Sequence, residues 1–411
     1  MIALESHLNI SQRLIERTPL KFKRYLFEKI DWKQPLIFLL GMRGVGKTTL
    51  LLQYLKEQYQ DKPDAGLYLT ADDINLSNKR LVDIAESFRS QYAGKTLVID
   101  EIHKYPNWSQ ELKNIYDLEP DLKIIVSGSS SLEILKGGYD LSRRSVSYSL
   151  ESLSLREYIN FSMGLNIASV SLDDVISNQQ DLSRGIIAQL EGETTILERF
   201  RSYLAQGAYP YFKDKDIFIF QQQIVNAVNK VLYEDIPAIY SISSQATASL
   251  QRILSMITSS KPFEPNVEAL SRNLGIAKET TYNYLDYLEA SKIIRYLPKT
   301  NRGVKAVRKP AKIYLAHPCL YNALGQIKGL ELEIGTLRES FFLSQMNHYL
   351  VSSHKSADFE VQGKPSLVFE VGGRSKTQKQ IKGLEYAYLA LDNIEYGSKN
   401  SIPLWLLGFL Y

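Results

Sequence analysis

Residues 36–50 read LIFLLGMRGVGKTTL. An apolar run stops at a glycine, and Gly41, Gly44 and Gly46 are followed directly by Lys47, Thr48 and Thr49. Glycines at that density make poor helix or strand, because each loses the most backbone freedom on ordering. The stretch fits the pattern G-x-x-x-x-G-K-[ST], set between a buried strand and a helix. Each part has a physical reason. The glycines let backbone N–H groups curl around a phosphate with no Cβ in the way. A helix starting near Lys47 points its positive end at the same phosphates. Lys47 reaches the β- and γ-phosphates, and the Thr48 hydroxyl is a ligand for Mg2+. Gly41, Arg43, Gly44, Val45, Gly46, Lys47, Thr48 and Thr49 are therefore the expected nucleotide-binding residues.

The surroundings suit such a loop. PLIFLL, AGLYLTAD, KTLVIDE and LKIIVSGSSS read as short strands, and helical patterns separate them. That alternation implies an α/β domain with a parallel sheet covered by helices on both faces. Residues 1–34 read as helical, and Asn107 with Gln110 reads as a capping box for the helix NWSQELKNIYD. The strand LVIDE ends in two carboxylates about fifty residues after the glycine loop. There Asp100 would hold Mg2+ through water and Glu101 would act as general base on the attacking water. At the end of the next strand Ser129, with Ser127 and Ser130 as near alternatives, is placed to hydrogen-bond that water or the γ-phosphate.

At 411 residues the chain exceeds one core and is expected to fold as about two to four domains. Its net charge of +4 neither demands nor excludes a polyanionic partner, so local distribution decides. A single cysteine, Cys319, excludes an internal disulfide framework and a Cys-based zinc site. The N-terminus lacks the pattern of a signal or transit peptide. No stretch approaches the roughly 20 apolar residues of a membrane span. IPLWLLGFLY reads as a final buried strand, and the expected location is the cytoplasm, away from membranes.

Beyond the sheet, RSVSYSLESLSLREYI reads as a strand and a helix, 166–200 is polar without a clear pattern, and 198–260 reads as helices. Residues 262–297 read as a helix, a tight turn at Gly275, a second helix with Leu285 and Leu288 inward, and a strand. In such a helix-turn-helix the start of the second helix meets base edges. Lys278, Thr280, Thr281, Tyr282 and Asn283 lie there. The segment KTNRGVKAVRKPAK then carries Lys299, Arg302, Lys305, Arg308, Lys309 and Lys312 and no acid. A basic hairpin beside a recognition helix grips phosphates. Glu279, Asp286 and Glu289 oppose that reading, since they repel DNA. In the tail, Glu339, Asp358 and Glu370 resemble the magnesium-binding acids of restriction-type nucleases. That chemistry also needs a lysine two residues past the last acid, where this chain has Gly372; Arg374 and Lys376 stand farther on. The site reads as a scaffold whose cleavage activity is lost.

GMRGVGKTTL, LVIDEIHKYPNW, IIVSGSSS, LSRRSVSYSLESLSLREYI, YLAQGAYPYF and VLYEDI together resemble a large prokaryotic family of predicted AAA-type ATPases that carry a C-terminal domain of unknown function. The resemblance implies an AAA-type P-loop sheet domain, then a helical and winged-helix domain, then a C-terminal α/β restriction-endonuclease-like domain. It implies ATP rather than GTP as the nucleotide, with Mg2+. It also aligns Arg144, in Ser142-Arg143-Arg144, with an arginine that stabilises γ-phosphate charge from the same chain or a neighbour. The expected division is 1–165 for the ATPase domain with its N-terminal helical segment, 166–255 for a helical connector, 256–325 for the winged helix and 326–411 for the degenerate nuclease-like domain. The expected catalytic set is Lys47, Glu101, Ser129 and Arg144, with double-stranded DNA as partner through Lys278, Thr280, Tyr282, Lys299, Arg302, Lys305 and Arg308. An ATP-regulated nuclease and a nucleotide sensor that binds a protein partner or a second copy are the alternatives.

Overall fold

The computed structural model describes residues 4–76, 79–128, 141–190, 192, 194–213, 215–299, 310–327 and 329–411. The chain divides into two compact units, Met1–Glu151 and Ser152–Tyr411.

The first unit is built on a five-stranded sheet whose strands all run parallel. Its strands are β1 (Leu36–Leu40), β2 (Gly66–Thr70), β3 (Thr96–Asp100), β4 (Lys123–Gly128) and β5 (Val146–Ser149). They lie in the order β2-β3-β4-β1-β5. Every residue of β1 and β3 is buried, as a parallel sheet covered on both faces requires. Leu36, Phe38 and Leu40 of β1 share one core with Ile84 and Phe88 of α3 (Leu81–Tyr92) and with Leu112 and Ile115 of α4 (Trp108–Leu118). The strand order puts β4 between β1 and β3, so three strand ends converge where the glycine loop begins.

Two local expectations change. Among the described residues of 1–34, helix is confined to α1, Glu5–Arg17, which ends where Thr18 precedes Pro19 and is extended (φ −73°, ψ 124°). A residue before proline is pushed out of the helical region by the ring. Asn107 does not close a capping box: it sits in the left-handed region (φ 56°) with no side-chain cap. Side-chain capping needs extended backbone at that position. Its carbonyl instead accepts from Gln110 N and Glu111 N, at 3.1 and 3.2 Å.

The second unit opens with α5 (Leu155–Met163), capped reciprocally by Ser154 and Glu157. The polar stretch 166–200 holds α6 (Leu172–Ala188) and the start of α7 (Ile196–Gln206), each begun by a capping box, Ser171 with Asp174 and Thr195 with Glu198. After α8 (Ile217–Lys230) comes a π-turn, Val231–Asp235, then α9 (Ile236–Tyr240) and α10 (Ser244–Ser259). Next α11 (Val267–Leu274) meets α12 (Lys278–Ala290) through Gly275, whose φ of 66° a glycine adopts without a Cβ clash. Leu285 and Leu288 of α12 are buried. Then β6 (Ile294–Leu297) pairs antiparallel with β7 (Lys312–Leu315).

Two helices, α13 (Pro318–Ile327) and α14 (Ile334–Gln345), lead to a second five-stranded sheet. It consists of β8 (Val351–Ser353), β9 (Phe359–Val361), β10 (Leu367–Gly372), β11 (Ala387–Leu391) and β12 (Ser401–Pro403), in the order β12-β11-β10-β9-β8. The expected final strand is only the three residues of β12. Leu404–Phe409 form a fully buried 3-10 helix; an unbroken apolar run carries no period that tells buried strand from buried helix in the sequence. Among the described residues no helix is long and apolar enough to cross a membrane.

His317 lies in the core of the second unit. It is 1% exposed, its ring meets Tyr203 edge-on at 5.0 Å, and its Nδ1 accepts from Cys319 N at 3.1 Å. Burial lowers its pKa to about 3. A depressed folded value means that the stability from neutral His317 is complete above pH 6.5 and is lost as pH falls toward about 3. Between pH 6 and 4 the unfolding free energy should therefore fall more steeply for the natural protein than for His317→Phe, which keeps the ring and cannot titrate. The difference in slope should reach up to about 1.4 kcal/mol per pH unit, measured by denaturant titration; parallel curves would contradict the burial of this imidazole.

Candidate functional site

The glycine loop leaves β1 at Leu40 and enters α2 (Lys47–Gln58). Gly44 and Gly46 have φ of 86° and 99°, the left-handed region open to glycine at little cost. Gly41 serves a close approach: a Cβ there would lie 2.5 Å from the carbonyl oxygen of Leu150. Leu150 N in turn donates to Leu40 O at 2.7 Å, so the chain beyond β5 closes against the loop. The N-cap of α2 is Gly46, with no side-chain cap and no acid in the first turn. That end of the helix thus presents backbone N–H groups and a positive dipole end with nothing anionic of its own beside it. Lys47 is 4% exposed, and its Nζ donates to Gly41 O (2.9 Å) and Met42 O (3.2 Å), inside the arch of the loop.

The end of β3 faces this loop. Asp100 is 3% exposed and accepts from three elements at once. Thr48 Oγ1 donates to its Oδ2 at 2.5 Å, Tyr68 OH on β2 donates to the same oxygen at 2.8 Å, and Ser127 Oγ on β4 donates to Oδ1. The N–H of Glu101 approaches both Asp100 Oδ1 and Ser127 Oγ at 3.2 Å. A buried carboxylate is costly unless hydrogen-bonded, and these donors meet that cost. Burial and the neighbouring Asp100 charge push the Tyr68 phenol well above its ordinary pKa, so it stays a donor. Glu101 adopts φ 54°, a left-handed conformation that costs a non-glycine residue roughly 1–2 kcal/mol.

Residues 33–159 match a family described as AAA domain, and residues 197–331 match a domain of unknown function, DUF8612. Residues 33–159 are an AAA-type P-loop domain. Over 409 residues the chain is 27% identical to an uncharacterized protein of Methanocaldococcus jannaschii, MJ1637, covering 89% of this chain and 85% of that one. Among solved structures, AMPPCP-bound DnaA from Aquifex aeolicus matches at 17% identity and a TM-score of 0.26, over 71% of this chain and 90% of that chain. The Hsp104–ADP complex of S. cerevisiae matches at 15% and 0.28, over 71% and 39%. PCH-2 of C. elegans matches at 16% and 0.26, over 70% and 66%.

The AAA domain offers a nucleotide a loop that a Cβ would obstruct, and offers a cation one hydroxyl and one carboxylate that already touch. Among the described residues no three His, Cys, Asp or Glu side chains form a metal site of their own. Mg2+ fits that donor set, since it is commonly held by one or two protein oxygens together with substrate phosphates. Of the residues singled out from sequence, Gly41, Arg43, Gly44, Val45 and Gly46 form the loop, Lys47, Thr48 and Thr49 open α2, and Asp100, which Thr48 touches, ends β3 with Glu101 next to it. Ser129 and Ser130 lie outside the described residues; Ser127 is the serine that meets Asp100. Arg144 is engaged by α4, with Nε 3.4 Å from Asp117 and the guanidinium 5.8 Å from the Tyr116 ring centre.

Two side chains of the site escaped the sequence reading. Tyr68 sits at the middle of the strand GLYLT, and only the pairing of β2 with β3 brings it to Asp100. Arg24, 5% exposed, donates to the loop carbonyl of Val45 and, at 2.8 Å, to Glu151 O. A lone arginine in a basic segment gives no signal of that kind.

In the second unit, Lys278 pairs with Glu268 at 2.5 Å at the start of α12. Thr280 is half-buried, Thr281 is buried against Ser271, and Tyr282 and Lys299 line a cleft of about 470 Å³ with Glu264 and Glu268. Arg302, Lys305, Arg308 and Lys309 lie outside the described residues. Lys312 leaves the basic group: its Nζ is 3.2 Å from Glu339 and 3.6 Å from Asp358. Of the three tail acids, Glu339 and Asp358 both approach Lys312, and Glu370 meets Asp358 through the Asp358 backbone N–H. Asp358 N donates to Glu370 Oε2 at 3.1 Å, and Tyr314 OH donates to Glu339 at 2.5 Å. Burial, and then the Asp358 charge, raise the Glu339 pKa. Lys376 bonds Glu370, and its stem fills the space where a Cβ on Gly372 would stand, 2.8 Å from Cγ and Cδ. Arg374 is exposed.

The close approach at Gly41 yields a direct test. Gly41→Ala forces the loop off Leu150 O, and overpacking of that kind costs about 1–3 kcal/mol. ATP affinity by isothermal titration should fall about tenfold or more; unchanged affinity would mean that the loop tolerates a Cβ and does not cradle phosphate.

Proposed function

We propose that the chain is a Mg2+-dependent ATP hydrolase of the AAA type. The contact of Thr48 with Asp100 carries this reading, because it joins the glycine loop to the strand end whose next residue is a carboxylate. Gly41 to Gly46 and the start of α2 bind the phosphates through backbone N–H groups. Lys47 turns from its loop carbonyls to the β- and γ-phosphates. Thr48 and Asp100 would hold Mg2+, which neutralises phosphate charge when bound. Glu101 takes a proton from the attacking water as the phosphoryl group leaves. Arg144, held on α4 in this chain, completes the γ-phosphate environment by moving or by acting on a neighbouring copy.

Lys47→Ala should lower ATP turnover by more than about a hundredfold, the scale of one strong transition-state contact. Glu101→Gln should keep ATP bound while hydrolysis stops. Turnover like that of the natural protein in Lys47→Ala would sink the assignment.

DNA is the proposed partner of the second unit. The helix pair α11–α12 followed by the β6–β7 hairpin supports a winged helix, and Tyr282 and Lys299 stand at its cleft. The pairing of Lys278 with Glu268 and of Lys312 with Glu339 and Asp358 leaves the basic segment between β6 and β7 as the main source of phosphate contacts. Lys312 and Lys376 answer the tail acids from within the chain, which supports a scaffold rather than a nuclease. Changing Arg302, Lys305 and Arg308 together to Ala should weaken binding to any duplex and reduce the salt slope by up to about three units. ATP turnover without DNA should stay unchanged. Identical anisotropy curves against salt for the two proteins would favour a sensor that docks a protein partner.

A further inference from the structure

The chain beyond β3 turns sharply. Glu101 is left-handed, and a single 3-10 turn, Ile102–Lys104, follows it. Ile102 is fully buried as the anchor of that turn. Lys104 N donates to Glu101 O and Tyr105 N to Ile102 O, both at 3.0 Å, and the Lys104 ammonium is tied to Asp72 at 2.5 Å. Residues two apart do not face each other on a regular helix. The left-handed bend changes that: the ring of His103 lies beside the carboxylate of Glu101, Nδ1 to Oε2 at 3.5 Å. Both groups are shielded, with side-chain exposures of 5% and 18%.

We propose that His103 is a positioning residue, whose imidazole holds the side chain of Glu101 in the orientation that receives the proton of the attacking water. This rests on the ATPase reading above. An imidazole facing Oε2 fixes the carboxylate rotamer and with it the place of Oε1. The separation of 3.5 Å exceeds a hydrogen bond, and such contacts commonly tighten when the substrate is in place. The left-handed backbone at Glu101 is then useful strain, since it brings the two side chains together. His103 touches neither nucleotide nor cation in this scheme, so its effect falls on the chemical step and not on binding.

His103→Ala should lower kcat about tenfold to a hundredfold, the scale of misplacing a reacting group by about 1 Å. The dissociation constant for a fluorescent ATP analogue should stay within about twofold. His103→Asn, whose amide nitrogen takes the place of Nδ1, should recover most of kcat. A readout without nucleotide accompanies these. In the 1H–15N spectrum of the histidine rings, the His103 signals, identified by their loss in His103→Asn, should move in Glu101→Gln. Unmoved signals would overturn the contact. Normal kcat in His103→Ala, with Glu101→Gln inactive, would overturn the positioning role and leave the ATPase reading intact. If the natural protein neither binds nor hydrolyses ATP, the ATPase reading fails and the positioning role with it, whatever the ring signals do. If His103→Ala does not fold, His103→Asn and the spectra still decide: kcat in His103→Asn reduced as far as in Glu101→Gln would also overturn the proposal.

Discussion

The first unit is organised around one buried carboxylate. Asp100 gathers Thr48 from the start of α2, Tyr68 from β2 and Ser127 from β4, and each donor comes from a different element of the sheet domain. Leaving such a group without partners in an apolar interior costs several kcal/mol, so the strand ends are obliged to converge on it. The same convergence puts the start of α2, where the glycine loop ends, against the end of β3, with Glu101 next to it. The parallel strand order makes this possible, because β4 lies between β1 and β3 and carries Ser127 into the gap.

The second unit shows the opposite use of charge. Its acids and lysines pair within the chain: Glu268 with Lys278, Glu339 and Asp358 with Lys312, Glu370 with Lys376. Lys312 belongs to β7 while Glu339 lies on α14, so the hairpin and α14 are joined by an ion pair that is largely shielded from solvent. A shielded pair is screened less by salt than an exposed one, and removing one partner leaves the other uncompensated. Of the basic residues in 299–312, Lys312 therefore serves a structural ion pair.

The AAA domain was legible because its signals are local. A run of glycines ending in Lys47-Thr48, and an apolar strand ending in Asp100-Glu101, state their chemistry in contiguous residues. The helices in 166–200 were equally local, in the boxes Ser171–Asp174 and Thr195–Glu198, but they lie in a polar stretch whose apolar period is weak. Asn107 shows the limit of such signals. The capping pattern was present, yet the backbone at Asn107 is left-handed and its side chain makes no cap bond, and nothing in the residue types announced that geometry.

What the sequence by itself determined is the set of short-range features: the glycine loop between strand and helix, the two acids at the end of β3, the alternation of strand and helix, and the helix pair turned at Gly275. Tertiary structure alone decided the partners across elements. Tyr68 reaches Asp100 only because β2 pairs with β3, and Arg24 reaches Val45 only because the segment after α1 folds back over the loop. Lys376 covers Gly372 only because the chain after β10 turns back on itself. A side chain's type and neighbours in sequence set its local conformation. Which distant atom it meets depends on strand order and on burial, and those are properties of the packed chain.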